Sequence, residues 1–138
     1  MHTRCTAIVT CCLALLVADV AAAENVKQEL KLTRRAKSGV DSSLATAGWW
    51  DKDCKSLSGT VTFITQPKNG KAWAIEASYP VPPSTPASGN TRSCAGNMVT
   101  GHKIMYHSNV GFHGTDTVVY ESVGPARTIH TTVTISVP

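Results

Sequence analysis

Cys54 and Cys94 are the side chains whose type and spacing most clearly allow covalent chemistry. The other three cysteines, Cys5, Cys11 and Cys12, lie in an apolar N-terminal stretch with the pattern of a signal peptide. In an oxidising compartment, two remaining cysteines most simply form one disulfide. A metal-thiolate or redox pair usually has closer spacing or additional ligands. We therefore predict a structural Cys54–Cys94 bridge.

Histidines are the next candidates, as ligands for Zn²⁺ or Cu²⁺. His107 and His130 each lie on the face of a predicted strand opposite its apolar residues. If those strands are adjacent, the two imidazoles can form a surface metal site with Met105. No ligand motif accompanies them, so we expect no cofactor and keep metal binding as an alternative function.

The sequence contains none of the common catalytic motifs. It has no nucleophile elbow, no His-Glu-x-x-His and no Gly-rich phosphate loop. Its acidic residues are few and spread along the chain, which disfavours two carboxylates flanking a cleft. We predict that the protein is not an enzyme, and a small secreted hydrolase is the second alternative.

Residues 1–23 have the pattern of a secretory signal peptide. Arg4 and the N-terminal amine form a short positive region, an apolar run extends from Cys5 to Val17, and small residues at Val20–Ala23 suit cleavage after Ala23. The run is short for a membrane span, and no later segment reaches that length. We expect a periplasmic or secreted protein with no membrane span in the mature chain; a retained N-terminal anchor is the alternative.

Charge and composition limit the partners. The formal net charge is +4, and charged residues make up only 16% of the chain. This modest positive excess attracts acidic surfaces weakly and does not indicate nucleic-acid binding. The low charge and the many Thr, Ser, Val and Gly residues favour sheet over helix.

Alternating apolar and polar residues predict the strands that position these side chains. Thr60–Thr65 and Lys71–Glu76 flank the turn Gln66–Gly70, whose Asn-Gly suits a tight hairpin. Three more strands are predicted over Lys103–His107, Thr115–Glu121 and Thr128–Val137. The residues expected to share a face within each strand are Trp73 with Ile75, Ile104 with Tyr106, Val118 with Tyr120, and Ile129, Thr131, Val133, Ile135 and Val137. Short strands with turn signals and no convincing helix predict an all-β sandwich of about seven strands.

Two polar segments are predicted to lie outside these strands. Residues 24–48 form a polar N-terminal arm or an edge strand, with a loop at 38–48. Tyr79–Gly89 contains four of the seven prolines and is expected to be a long surface loop. The candidate partner contacts are Trp49, Trp50, Tyr79, Pro82 and Pro83. Adjacent tryptophans on a strand face opposite sides, so one should be core and one partly exposed, although packing on the disulfide explains them as well.

The second half of the chain carries a set of short motifs: Pro67-Lys68-Asn69-Gly70-Lys71, Ile104-Met105-Tyr106, Gly111-Phe112-His113-Gly114-Thr115-Asp116 and Tyr120. In this order they resemble the bacterial Ig-like and cadherin-like repeat pattern, and the resemblance covers residues 60–138. It implies an Ig-like antiparallel β-sandwich over residues 49–138 of a small exported protein with one added disulfide.

The same resemblance implies structural roles for several residues. Gly111, Phe112 and Gly114 would form a turn, and Asp116 would cap a turn by accepting backbone N–H bonds. Tyr120 would form a tyrosine corner, with its hydroxyl bonded to nearby backbone. Ig-like sandwiches usually engage partners through end loops or a sheet edge. We therefore expect a non-catalytic binding or structural module of the periplasm or cell exterior, with a protein or cell-surface partner.

Overall fold

The computed structural model describes residues 25–83 and 94–138, and nine strands lie within these ranges. They are β1 (Val26–Arg35), β2 (Ser42–Ala47), β3 (Trp49–Trp50), β4 (Ser56–Leu57), β5 (Thr60–Thr65), β6 (Gly70–Pro80), β7 (Met98–Ser108), β8 (Gly114–Val123) and β9 (Arg127–Val137). The all-β sandwich with a Cys54–Cys94 disulfide is confirmed, with nine strands instead of about seven. The predicted signal peptide and residues 84–89 of the predicted loop lie outside the described residues. Within the described ranges, no helix has the length and apolarity that a membrane crossing requires.

Two sheets and a small ribbon make up the fold. The four-stranded sheet has the order β1-β9-β8-β5, and the three-stranded sheet has the order β2-β7-β6. The ribbon consists of β3 and β4. One pair departs from the antiparallel arrangement, because β1 runs parallel to β9 along its whole length. Apolar alternation does not encode strand direction, so the sequence could not reveal this pairing.

Residues 26–47 are part of the sandwich, so the predicted domain start at residue 49 is wrong. Val26–Arg35 is an edge strand, which is one of the two predicted alternatives. Ser42–Ala47, predicted as loop, is strand β2 and buries Leu44 in the core. The pairing of β2 with β7 shifts between Ser43 and Ala45. A bulge there breaks the two-residue alternation by which a strand is recognised in sequence.

The core lies between the two sheets and contains the predicted faces of β7, β8 and β9. Its buried side chains from these strands are Ile104, Tyr106, Val118, Tyr120, Val133, Ile135 and Val137. On β6 the inward residue is Ala72, which lies opposite Tyr106. Trp73 and Ile75 are on the outward face, where Ile75 is 42% exposed. The large Tyr106 ring fills the space beside Ala72, so this edge strand needs only small inward residues.

The carboxylate of Asp116 joins three parts of the chain inside the sandwich. It is 4% exposed and accepts the backbone N–H groups of Lys68 at 2.9 Å, Asn69 at 2.8 Å and Thr117 at 2.9 Å. The hydroxyl of Tyr106 donates to the same carboxylate at 3.2 Å. Burial, together with the negative charge of Asp116, raises the pKa of Tyr106 to about 12. Asp116 therefore connects β8 with β7 and with the turn between β5 and β6.

Replacing Asp116 with Ala should lower the free energy of unfolding by about 3 kcal/mol, because the backbone donors and the phenol lose their acceptor. Urea denaturation followed by circular dichroism measures this loss. Asp53→Ala is the control, since the Asp53 carboxylate is exposed and pairs only with Lys52. It should change the free energy by less than about 0.5 kcal/mol. Equal effects of the two substitutions would show that Asp116 is not a structural centre.

Candidate functional site

The two adjacent tryptophans are presented by the β3–β4 ribbon. Trp49 pairs with Leu57 and Trp50 with Ser56. The turn between the strands is closed by Asp51, whose Oδ1 accepts the N–H groups of Asp53 and Lys55, both at 2.9 Å. The bond from the Lys55 N–H lowers the pKa of the Asp51 carboxyl. An aspartate that binds backbone a few residues ahead stabilises a tight turn, so the local sequence fixes the ribbon.

The Cys54–Cys94 disulfide attaches this ribbon to the far end of the three-stranded sheet. The two Cα atoms are 5.4 Å apart, and 40 residues separate the cysteines. A second hydrophobic cluster surrounds the bridge and consists of Tyr79, Val81, Cys94 and Val99, with Trp50 and Cys54 packed against it. The bridge is therefore part of a packed structural unit.

The indole of Trp49 packs against two glycines, at positions where a side chain would overlap it. A Cβ atom at Gly59 would lie 2.1 Å from Cζ3 of Trp49, and one at Gly124 would lie 2.0 Å from its Nε1. Gly59 precedes β5 and Gly124 lies between β8 and β9, so Trp49 docks the ribbon onto the four-stranded sheet. Trp49 and Trp50 are both half-buried. The expected split into one core and one exposed tryptophan is wrong, because β3 lies in a separate ribbon that packs on both sides.

A cleft of about 450 Å³ is bounded by edge strands β1 and β2, the ribbon, and the β8–β9 end of the four-stranded sheet. We call it the edge cleft. Its walls are formed by Gln28, Leu30, Leu32, residues 45–50, Leu57, Tyr79, Pro82, Tyr120, Ser122, residues 125–127, Ile129 and Thr131. Four of the five candidate contact residues, Trp49, Trp50, Tyr79 and Pro82, are among them. Pro83 is exposed and is not a wall residue.

Tyr79 lies in a strand, so the predicted surface loop from Tyr79 to Gly89 is wrong at its start. It lies in β6, and its side chain is buried. Burial raises the pKa of the Tyr79 phenol. Pro80 ends the strand without disrupting the sheet, because β6 is an edge strand. Tyr79 is therefore a packed wall of the edge cleft and not an exposed loop residue.

The edge cleft is an apolar pocket whose walls include two polar side chains, Gln28 and Arg127, with no hydrogen-bond partner among the described residues. Burial raises the pKa of the Tyr79 and Tyr120 phenols, and the neighbouring Thr46 and Thr131 side chains act in the opposite direction. The side chains of Gln28 and Arg127 make no hydrogen bond or ion pair with any described residue. Neither residue is among the contacts predicted from the sequence. The available signal was Arg127, which continues the Ile129–Val137 alternation by one more inward position.

Of the residues for which the resemblance implies structural roles, Tyr120 is a wall residue of the edge cleft. The others, Gly111, Phe112, Gly114 and Asp116, are not. Gly111 and Gly114 have φ of 80° and 139°, and the Phe112 ring packs against the core. Tyr120 is buried in the core, with its ring centroid 6.0 Å from that of Phe63. Burial raises the pKa of the Tyr120 phenol, and the neighbouring Thr131 side chain acts in the opposite direction. Thr131 lies directly opposite Tyr120 on β9. The tyrosine corner that the resemblance implies stays a prediction.

The two candidate metal ligands do not meet. His107 is in the three-stranded sheet and His130 in the four-stranded sheet. Each has its own carboxylate, Asp41 at 2.7 Å from His107 Nδ1 and Glu121 at 3.4 Å from His130 Nδ1. The adjacency that a shared site requires is wrong, because strand pairing places β7 and β9 in different sheets. Across residues 25–83 and 94–138, no group of three or more His, Cys, Asp or Glu could hold a metal ion.

A smaller cleft of about 290 Å³ lies between the ribbon and the three-stranded sheet. It contains Glu76 and His102, which are opposite each other on β6 and β7. Nδ1 of His102 is buried without a hydrogen-bond partner. His102 lies outside the predicted strand Lys103–His107, whereas strand β7 begins at Met98 and includes it.

Comparisons with protein-family models, with curated proteins and with solved structures give no match. What the edge cleft holds must therefore be inferred from its own residues.

Replacing Gly124 with Ala should lower the free energy of unfolding by about 1–3 kcal/mol, because the added methyl displaces the Trp49 indole. In a Trp49→Leu background, the same substitution should be neutral within about 0.5 kcal/mol. Urea unfolding of the four proteins in this cycle measures the coupling. A loss of the same size in both backgrounds would show that Gly124 does not seat Trp49.

Proposed function

We propose that the protein is an exported, non-catalytic binding module that takes its ligand in the edge cleft. The observation that supports this is an apolar cleft with a few unpaired polar groups. Ligand pockets commonly have volumes of about 300–1,000 Å³ and this composition, and the cleft of about 450 Å³ lies in that range.

The wall chemistry favours binding over catalysis. Among the described residues, the walls contain no His, Cys, Asp, Glu or Lys. Ser122 is a wall residue, but it is 97% buried and no base lies on the walls to activate it. A hydrolase would need a nucleophile or a water-activating group beside the bound substrate.

Export and the Ig-like relationship belong to the same proposal. The N-terminal sequence pattern supports export, and a disulfide is compatible with an oxidising compartment. The Gly111–Asp116 motif supports the relationship to bacterial Ig-like domains. Such domains engage partners at end loops and sheet edges, and the edge cleft lies beside two edge strands.

Binding of a neutral apolar dye, N-phenyl-1-naphthylamine, tests the site. We expect saturable fluorescence enhancement, weakened about fivefold or more by Leu30→Gln, because the substitution removes apolar wall area. Leu30 is 37% exposed and lies outside the core cluster, so this variant should remain folded.

The matched control is Ile64→Gln, since Ile64 is 54% exposed on β5 and is not a wall residue. It should leave dye binding unchanged. An equal loss in both variants, or no saturable binding to the native protein, would contradict the proposed site.

A further inference from the structure

The inward row of β9 begins with a cation. From the C-terminal end, Val137, Ile135, Val133 and Thr131 are all buried in the core, and Ile129 and Arg127 follow on the same face. Both of these last two side chains are half-buried wall residues of the edge cleft. The face of β9 that forms the core therefore has Arg127 at its N-terminal end, where this residue lines the edge cleft.

The neighbouring strand β1 repeats this arrangement. Its register places Gln28 beside Ile129 and Leu30 beside Thr131. Gln28, Leu30 and Leu32 all line the cleft, so the polar amide is at the Arg127 end and the leucines are further along. The two parallel strands together place the polar side chains of Gln28 and Arg127 at one end of the cleft and apolar side chains along its length.

The described wall residues of the edge cleft carry a net positive charge. Arg127 is the one charged side chain among the wall residues that the structure describes, and it forms no ion pair there. Arg34 provides a contrast on the same strand pair. Its guanidinium is already engaged, with Nε donating to the carbonyl of Leu44 at 2.6 Å and Nη1 to that of Thr33 at 2.9 Å. Arg34 thus links the two sheets, whereas the guanidinium of Arg127 has no partner among the described residues.

We propose that the ligand of the edge cleft is a small amphipathic carboxylate, with its acid group on Arg127 and its apolar body against Leu30 and Ile129. This inference rests on the proposed binding function. A guanidinium binds a carboxylate through two parallel hydrogen bonds, and the Gln28 amide supplies a further donor. A single cation and a cleft of about 450 Å³ suit a small molecule with one negative charge.

Three probes with the same apolar body test the charge preference: 4-phenylbutyrate, 4-phenylbutanol and 4-phenylbutylamine. Saturation-transfer NMR titration of the purified protein gives their relative affinities. We expect the carboxylate to bind at least about tenfold more tightly than the alcohol, and the amine to bind most weakly.

Arg127→Gln should reduce the affinity for 4-phenylbutyrate to that for 4-phenylbutanol and leave the alcohol unchanged. The matched control is Arg35→Gln, which removes the same charge from an exposed position on β1 outside the walls. It should leave the preference for the carboxylate intact, and a melting curve for each variant shows that it is folded.

The outcomes separate this inference from the proposed function. Equal affinities for acid and alcohol, with the neutral dye still binding and sensitive to Leu30→Gln, would overturn the carboxylate and leave the binding site standing. An equal loss of preference in Arg127→Gln and Arg35→Gln would show a general charge effect and would overturn the role of Arg127. Failure of all the probes and of the dye would overturn both proposals.

Discussion

The buried carboxylate of Asp116 holds together parts of the chain that are far apart in sequence. It accepts backbone N–H groups from Lys68 and Asn69 in the β5–β6 turn and the phenolic hydroxyl of Tyr106 on β7. A charge is tolerated in the interior only when donors surround it, so these groups must assemble together. Once Tyr106 lies beside Asp116, the inward faces of β7 and β8 oppose each other and the core of the two sheets is defined.

The edge cleft lies at the end of this core, beside the N-terminal part of β9. The inward row of β9 is buried from Val137 to Thr131, whereas Ile129 and Arg127 are half-buried. At this end of the sandwich, Trp49 packs against Gly59 and Gly124, and Trp50 packs against the disulfide cluster. The space left between the ribbon and β1 is the cleft, and Arg127 lies on its wall.

The sequence predicts best the features that depend on local pattern. The core faces of β7, β8 and β9 follow from strict alternation, and the disulfide follows from the cysteine count. Strand β2 is missed because a bulge near Leu44 interrupts its alternation, and Tyr79 is misplaced because prolines after it suggest a loop. Features that depend on pairing between distant strands cannot be predicted from local alternation. Two examples are the parallel pairing of β1 with β9 and the placement of His107 and His130 in different sheets.

The candidate site shows the same division. Trp49, Trp50 and Tyr79 could be named from the sequence, because paired tryptophans and a proline-rich segment are each candidates for contact surfaces. The cleft itself depends on β1 joining the far end of the chain, which brings Gln28 beside Ile129 across about 100 residues of sequence. Only the position of Arg127 at the start of an inward row is a local signal, and its meaning becomes clear once β1 is in place.

The most direct test of the central claim is amide chemical-shift mapping of the ¹⁵N-labelled protein with 4-phenylbutyrate. Binding in the edge cleft predicts saturable shifts concentrated at Gln28, Leu30, residues 45–47 and Arg127–Ile129. The outward face of the three-stranded sheet, around Trp73 and Met105, should remain unchanged. Shifts centred on that outward face, or spread evenly over the molecule, would contradict the account.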